Sequence, residues 1–324
     1  MAQVNKGGNI RTDLAVEANA LWREQGTARD ASGVRVEETK KGSCTITRVK
    51  VQNEQAAREM GKPVGNYITI DSPALLEGNR QEQEEVAHCL AEELKPFVAA
   101  GESVLVVGLG NWKATPDALG PKVADMILVT RHLGDYVPPE VKGKLRPVSA
   151  VAPGVLGLTG IETGEIIKGI VDRVHPDVVV AVDALAARSV ERIARTIQIS
   201  DTGINPGSGV GQDRMGLSRK NVGVKTIAVG IPTVVHAFTI ARDTVDLLLR
   251  DLEAKAPVAK TLGDLDDEEK NKLIQRVLSP SVGNLMVTPK EIDLLVEDLS
   301  RVVAMGLNAA LQPGIDMGEI ADYL

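Results

Sequence analysis

Two aspartates, Asp117 and Asp183, stand where an α/β protein keeps its reactive groups. Asp117 closes the string Gly108-Leu109-Gly110-Asn111-Trp112-Lys113-Ala114-Thr115-Pro116-Asp117, which leaves the apolar run Ser103–Gly108, and Asp183 directly follows the apolar run Val178–Val182. If the two runs are neighbouring parallel strands, both carboxyl groups meet in one crevice beyond the strand ends. Carboxylates held close repel, so one keeps a proton at a pH where the other is ionised. That split supplies a base to activate water and an acid to protonate a leaving group, which is what hydrolysis of a peptide bond requires. The plainer alternatives are a helix N-cap for Asp117 and a strand-end cap for Asp183.

The remaining reactive side chains are scattered. His88 and His175 read as surface residues, and His132, beside Arg131, as a cation at a helix C-terminus. His236 follows a third apolar run, Lys225–Gly230, through Ile231-Pro232-Thr233, which makes Asp117, Asp183 and His236 a candidate metal triad, although no HExxH motif accompanies it. Cys44 and Cys89 fall at apolar positions and read as packing residues; Ser189 and Ser208 lack the GxSxG elbow of a serine hydrolase. Gly108-Leu109-Gly110-Asn111 lacks the third glycine of a dinucleotide fingerprint and the Lys-Ser/Thr pair of a P-loop, and Gly207-Ser208-Gly209-Val210-Gly211 has no strand directly before it. Both read as tight loops, and no cofactor is expected. A non-catalytic α/β binding protein, its aspartates only capping strands, is the alternative from a different class.

The elements that must position these groups are legible as a rhythm. The three apolar runs are apolar on both faces, as expected of central parallel strands covered on each side. Helices are expected between and after them at Lys122–Leu133, Gly164–Val174 and Thr233–Asp251, with an amphipathic helix at Gln81–Phe97 before them. Alternation in Cys44–Val51 and Tyr67–Ile70 predicts strands with one solvated face. The expected fold is α/β, a mostly parallel sheet with helices on both faces. From about Leu252 the chain reads helical, with an acidic stretch at Asp264–Glu269 and an amphipathic segment from Pro289 to Leu311. The first forty residues are polar and irregular except for an apolar island, Leu14–Trp22, and predict an N-terminal arm.

Composition narrows the function classes. Over 324 residues, 43% hydrophobic side chains suffice for a large core, while 37 basic against 44 acidic residues give a net charge of −7 and no electrostatic footprint for nucleic acid. With 2% aromatic residues, stacking platforms for bases are scarce. Two cysteines, a start without a signal-peptide pattern and no run of eighteen apolar residues lead to the expectation of a soluble cytoplasmic protein with no membrane partner.

The strings VVGLGNWKATPDALGPKV (106–123), LVTRHLGDY (128–136), RPVSAVAPGVLGLTGIETGEII (146–167), VVAVDALAARSVERIARTIQISDTGINPGSGVG (179–211) and IPTVVHAFTIARDTVDLLL (231–249) resemble the germination protease family of spore-forming bacteria. The resemblance runs from about Ile10 to the C-terminus. It implies an atypical aspartic-type endopeptidase with a fold similar to hydrogenase-maturation endopeptidases, made as a zymogen, assembling as a homotetramer in the spore core and starting the degradation of small acid-soluble spore proteins. The family's two proposed catalytic aspartates carry over to Asp117 and Asp183. Arg11-Thr12-Asp13-Leu14-Ala15-Val16-Glu17-Ala18 resembles both the family's propeptide junction and its substrates, which are cut after an acidic residue and before an apolar one followed by Ala. Maturation is thus expected between Asp13 and Leu14, with residues 1–13 a propeptide and 14–324 one α/β protease domain, its core at about 100–250 and a helical region at about 252–324. Acidic substrates need cationic partners, and Arg131, Lys122, Arg146 and Arg188 lie in the strings as candidates. Loop amides around Gly108–Asn111 or Gly157–Gly160 are candidates for holding an oxyanion. At His236 the family string more usually reads PTVVDA, so His236 stays outside the catalytic set and no metal is assigned.

Overall fold

The computed structural model describes residues 12–24, 33–136, 145–205, 215–255, 269–271, 274, 278 and 285–324. The glycine-rich run at 207–211, with Ser208, and the acidic stretch at 264–268 lie outside the described residues. The rest forms an α/β fold around one sheet of nine strands: β1 (Val34–Lys41), β2 (Cys44–Val51), β3 (Gly65–Asp71), β4 (Val104–Gly108), β5 (Val148–Val151), β6 (Val178–Ala187), β7 (Thr196–Ser200), β8 (Lys225–His236) and β9 (Met286–Val287). The order is β1-β2-β3-β7-β8-β6-β4-β5, with β9 added to the end of β8.

The sheet has two characters. β8, β6, β4 and β5 run parallel to one another, and β1, β2, β3 and β7 extend the sheet antiparallel from β8. Both faces of the parallel part are covered, which explains its unbroken apolar sequences. Val106, Val180, Val182 and Val229 pack with the helices Arg80–Leu94, Leu119–Asp125 and Ile292–Leu311; Leu105, Val107, Val179 and Ala181 pack with Ile167 and Val171 of the helix Thr163–Val174. The helix Ile292–Leu311 is buried from Leu299 to Leu311 apart from one exposed position, Arg301, and so belongs to the central core.

Three expectations change. β6 and β8 run five and six residues further than their apolar runs, so Thr233–His236 is strand and the following helix, Ala237–Lys255, begins later. Pro232 has no N–H to give the ladder, and the register with β6 shifts between Leu185 and Ala186, so a bulge lets the strand continue past it. The expected helix Lys122–Leu133 is Leu119–Asp125 followed by a 3-10 helix, Arg131–Tyr136; Pro121 is tolerated in the first turn, where an N–H has no intrahelical acceptor. The N-terminal island is a helix, Ala15–Glu24, whose Ala15, Ala18 and Trp22 pack on Val49, Val51, Met60 and Tyr67, and β1 follows it within the stretch read as irregular.

One close approach sets the geometry beyond the strands. A Cβ on Gly120 would lie 2.2 Å from the Leu109 carbonyl oxygen and 2.4 Å from that of Val182, so only glycine lets the helix Leu119–Asp125 sit on the ends of β4 and β6. Gly120→Ala is therefore expected to lower the unfolding free energy by about 1–3 kcal/mol in a denaturant titration, through overpacking.

Candidate active site

The staggered strand ends build the crevice. β4 pairs with β6 only as far as Gly108 opposite Val182, and the Leu109 N–H extends that pairing by one bond, 2.8 Å to the Val182 oxygen. β6 continues to Ala187 against β8, with Asp183 opposite Gly230. Asp183 is thus the first residue of β6 beyond the end of β4. It sits inside a strand rather than after one, and it is buried, 8% exposed.

Asp117 is brought to the same place by a short return. Gly110 adopts φ +117°, where a side chain would strike the Asp117 carbonyl oxygen at 2.0 Å, and the Asn111 N–H then donates to Asp117 Oδ2 at 2.8 Å. The 3-10 turn Thr115–Asp117 is tied to the sheet by Thr233 at the β8 bulge, whose Oγ1 donates to the Pro116 oxygen at 2.7 Å. The helix after this turn has no side-chain N-cap, so capping does not explain Asp117.

The surroundings of Asp183 act on its ionisation. Burial, together with the negative charges of Asp117 and Asp13, holds the Asp183 carboxyl well above the ordinary aspartate range; a hydrogen bond from the Ala184 N–H to Oδ1, 2.9 Å, opposes this only in part.

The segment around Asp13 lies along the uncovered edge of β6. The Asp13 N–H donates to the Ala186 oxygen at 3.0 Å, and the Ala186 N–H donates to Asp13 Oδ2 at 2.8 Å. The Asp13 carbonyl oxygen accepts from Lys62 Nζ at 2.8 Å and Gln198 Nε2 at 2.9 Å; the Ala15 N–H donates to Gln198 Oε1 at 2.6 Å. Leu14 is fully buried against Leu185 and Ala187. Glu17 accepts from the Arg188 and Ser189 N–H groups at 2.8 and 2.9 Å, from the Thr12 hydroxyl, and faces Arg192 Nε at 3.7 Å. Lys62 is half-buried, with its ammonium in the interior, and desolvation lowers its pKa against the opposing pull of Asp13 and Glu17.

The other candidate residues distribute as follows. Arg188 borders the docked segment through its backbone, while its guanidinium meets Asp243 at 3.5 Å. Lys122 pairs with Glu297 and lies over the Trp112 ring at 5.8 Å. Arg146 is buried and spends its guanidinium on the carbonyl oxygens of Leu311, Ala99 and Glu102. Arg131 is exposed on its 3-10 helix. Of the proposed oxyanion loops, the Leu109 and Asn111 N–H groups are engaged by Val182 and Asp117, and the loop at Gly157–Gly160 closes on itself through Thr159. His236 ends β8 one residue past the pair Ala187–Val235, about 16 Å along the strand from Asp183. Among the described residues no group of three or more His, Cys, Asp or Glu side chains is placed to hold a metal ion, so the triad with His236 is not assembled. No described helix is long and apolar enough to cross a membrane.

Lys62, Gln198, Glu17 and Arg192 escaped the sequence reading. Gln198 carried a faint signal as the one amide in the otherwise apolar or hydroxylated strand Thr196–Ser200. Lys62, in a turn after the helix Glu54–Met60, carried none.

The family model described as germination protease matches residues 11–261 and 251–324. Germination proteases of Caldanaerobacter subterraneus subsp. tengcongensis, Clostridium tetani and Bacillus cereus (strain AH187) are 50%, 47% and 44% identical to this chain over 97%, 98% and 97% of its length, covering 98%, 99% and 97% of their own. Among solved structures, the [NiFe] hydrogenase maturation protease HycI of Thermococcus kodakarensis is 18% identical, with a TM-score of 0.34 over 66% of this chain and 98% of its own.

The raised Asp183 pKa has a consequence for stability. The folded state binds this proton more tightly than the unfolded state, so the acid costs no stability below the unfolded value near 3.8 and destabilises increasingly as pH rises toward the folded value. Thermal unfolding of wild type and Asp183→Asn between pH 4 and 8 is expected to show the asparagine form gaining over wild type as pH rises, with the gap closing at the acidic end.

Proposed function

Because the chain belongs to the germination protease family and is a peptidase of spore germination, we propose that it is the endopeptidase that initiates degradation of small acid-soluble spore proteins, made as a zymogen that cuts itself between Asp13 and Leu14. The observation that carries this reading is the seating of the Asp13–Leu14 bond: its flanking groups are hydrogen-bonded to Ala186, on the strand that also bears Asp183, and to Lys62 and Gln198 from neighbouring elements. A peptide bond held at an open strand edge, its carbonyl oxygen fixed by two donors, is presented for attack. Homotetramer assembly and residence in the spore core belong to the same reading and are supported by the family resemblance alone.

Asp117 and Asp183 divide the chemistry. Asp117 takes a proton from water as its oxygen attacks the Asp13 carbonyl carbon. Asp183, protonated because it is buried among negative charges, donates as the tetrahedral intermediate breaks. Specificity follows from the same contacts. An acidic side chain before the cut receives the Ala186 N–H, an apolar residue after it fills the surface of Leu185 and Ala187, and a glutamate three residues further receives the N–H groups of Arg188 and Ser189. None of these requires the guanidinium groups of Arg131 or Arg146.

Incubation of the purified chain with a small acid-soluble spore protein, with fragments mapped by mass spectrometry, tests the reading. Wild type is expected to produce a new N-terminus at Leu14 and to cut the substrate after acidic residues. Asp117→Asn and Asp183→Asn should each slow both cleavages by about 10²–10⁴-fold, the usual worth of a general acid or base. Full activity in either variant would remove the dyad.

A further inference from the structure

Resting on this reading of the dyad, we infer that Lys62 and Gln198 are catalytic residues that form the oxyanion site of the protease. The oxygen that becomes an alkoxide during attack is the Asp13 carbonyl oxygen, and it already accepts two side-chain donors, Lys62 Nζ at 2.8 Å and Gln198 Nε2 at 2.9 Å. Both distances fall in the range at which donors stabilise charge developing on a carbonyl oxygen. Gln198 is buried, 8% exposed, and Lys62 presents its ammonium to the interior, so the interaction acts where water screens least. The backbone amides that would ordinarily serve are occupied at Leu109 and Asn111.

The two residues also fix which bond is presented. Lys62 Nζ bridges the carbonyl oxygens of Thr12, at 3.1 Å, and Asp13, while Gln198 joins the Asp13 oxygen to the Ala15 N–H. A single amide side chain therefore grips the backbone on both sides of the Asp13–Leu14 bond. A peptide shifted by one residue offers Gln198 a different carbonyl and Lys62 a different pair.

The division of labour then balances. Water adds to the Asp13 carbon and gives its proton to Asp117; the C=O electron pair moves to oxygen, where Lys62 and Gln198 hold the negative charge. On collapse the C–N bond breaks and the Asp183 proton goes to the Leu14 nitrogen, leaving a carboxylic acid and an amine. With the oxygen served by Lys62 and Gln198, the Asp183 proton is kept for the leaving group.

A clamp that only docks the segment would use the same contacts, so the test separates cleavage rate from docking. First-order self-cleavage of the full chain is followed for wild type, Lys62→Met, Lys62→Arg and Gln198→Met. Docking is followed by hydrogen exchange at the Asp13 N–H, which Ala186 protects, with each substitution placed in an uncut Asp117→Asn background. Lys62→Met is expected to slow cleavage by about 10²–10³-fold and Gln198→Met by at least about tenfold, with Asp13 protection retained and Lys62→Arg recovering much of the rate. Should Lys62→Met fail to fold, by circular dichroism, Gln198→Met with its exchange measurement decides alone. Rates within threefold of wild type, or rate losses matched by equal losses of protection, would overturn the assignment while leaving the dyad standing. A folded wild type that never cuts at Asp13–Leu14 would overturn the functional reading and this assignment with it.

Discussion

The site depends on one mismatch of strand lengths. β4 stops at Gly108, and β6 carries on to Ala187 with β8 on its other side. Beyond Val182, β6 therefore has a backbone edge with no strand neighbour among the described residues, and unpaired N–H and C=O groups at an edge seek a partner. The chain supplies two. The turn through Gly110 and Asp117 closes over the start of this edge, and Asp13 bonds to Ala186 further along through its N–H and its carboxylate. Acid, loop and peptide are neighbours because each is answering the same vacant edge.

Packing behind the edge keeps it rigid. The helix Leu119–Asp125 is pressed against the strand ends through Gly120, and the long helix Ile292–Leu311 lies against it from behind. Gly306 allows that helix to approach Ala87 and Leu90 of the helix Arg80–Leu94, with a hypothetical Cβ only 2.7 Å from Leu90 Cδ2. The Pro232 bulge contributes from the far side by turning Thr233 toward the Asp117 turn. A well-packed surround of this kind raises the cost of ionising a carboxyl such as Asp183, because burial leaves less solvent around the charge.

Much of this architecture was legible in the amino-acid sequence, for reasons that also mark where reading stops. Runs such as Val178–Val182 are apolar on both faces only when both are covered, so the central strands and the covering helices could be read directly, and the placing of Asp117 and Asp183 followed. The extra reach of β6 and β8 could not, because Ala184–Ala187 and Pro232–His236 carry no strand periodicity and are held by register and a bulge. β1, with its charged Glu37-Glu38-Thr39-Lys40, looks like a solvated arm and is a strand only because β2 pairs with it. The four cations were singled out by type. Arg146 instead binds backbone oxygens and Lys122 a glutamate, while Lys62, with no pattern around it, reaches the docked segment from a turn that is distant in sequence.

Leu14 is sealed against Leu185 and Ala187, and the residues after it form a helix packed on β2 and β3. On the proposed reading, a cut ahead of Leu14 would free only the upstream product, the downstream one staying tethered to the enzyme by its own polypeptide. Its new α-ammonium group would emerge beside the two acids, a cation neutralising the charges needed for the next turnover. On the same reading, lifting Leu14 off β6 and the helix after it off β2 and β3 would be a separate mechanical event, and the grip of those few side chains would set the delay between scission and competence toward other proteins.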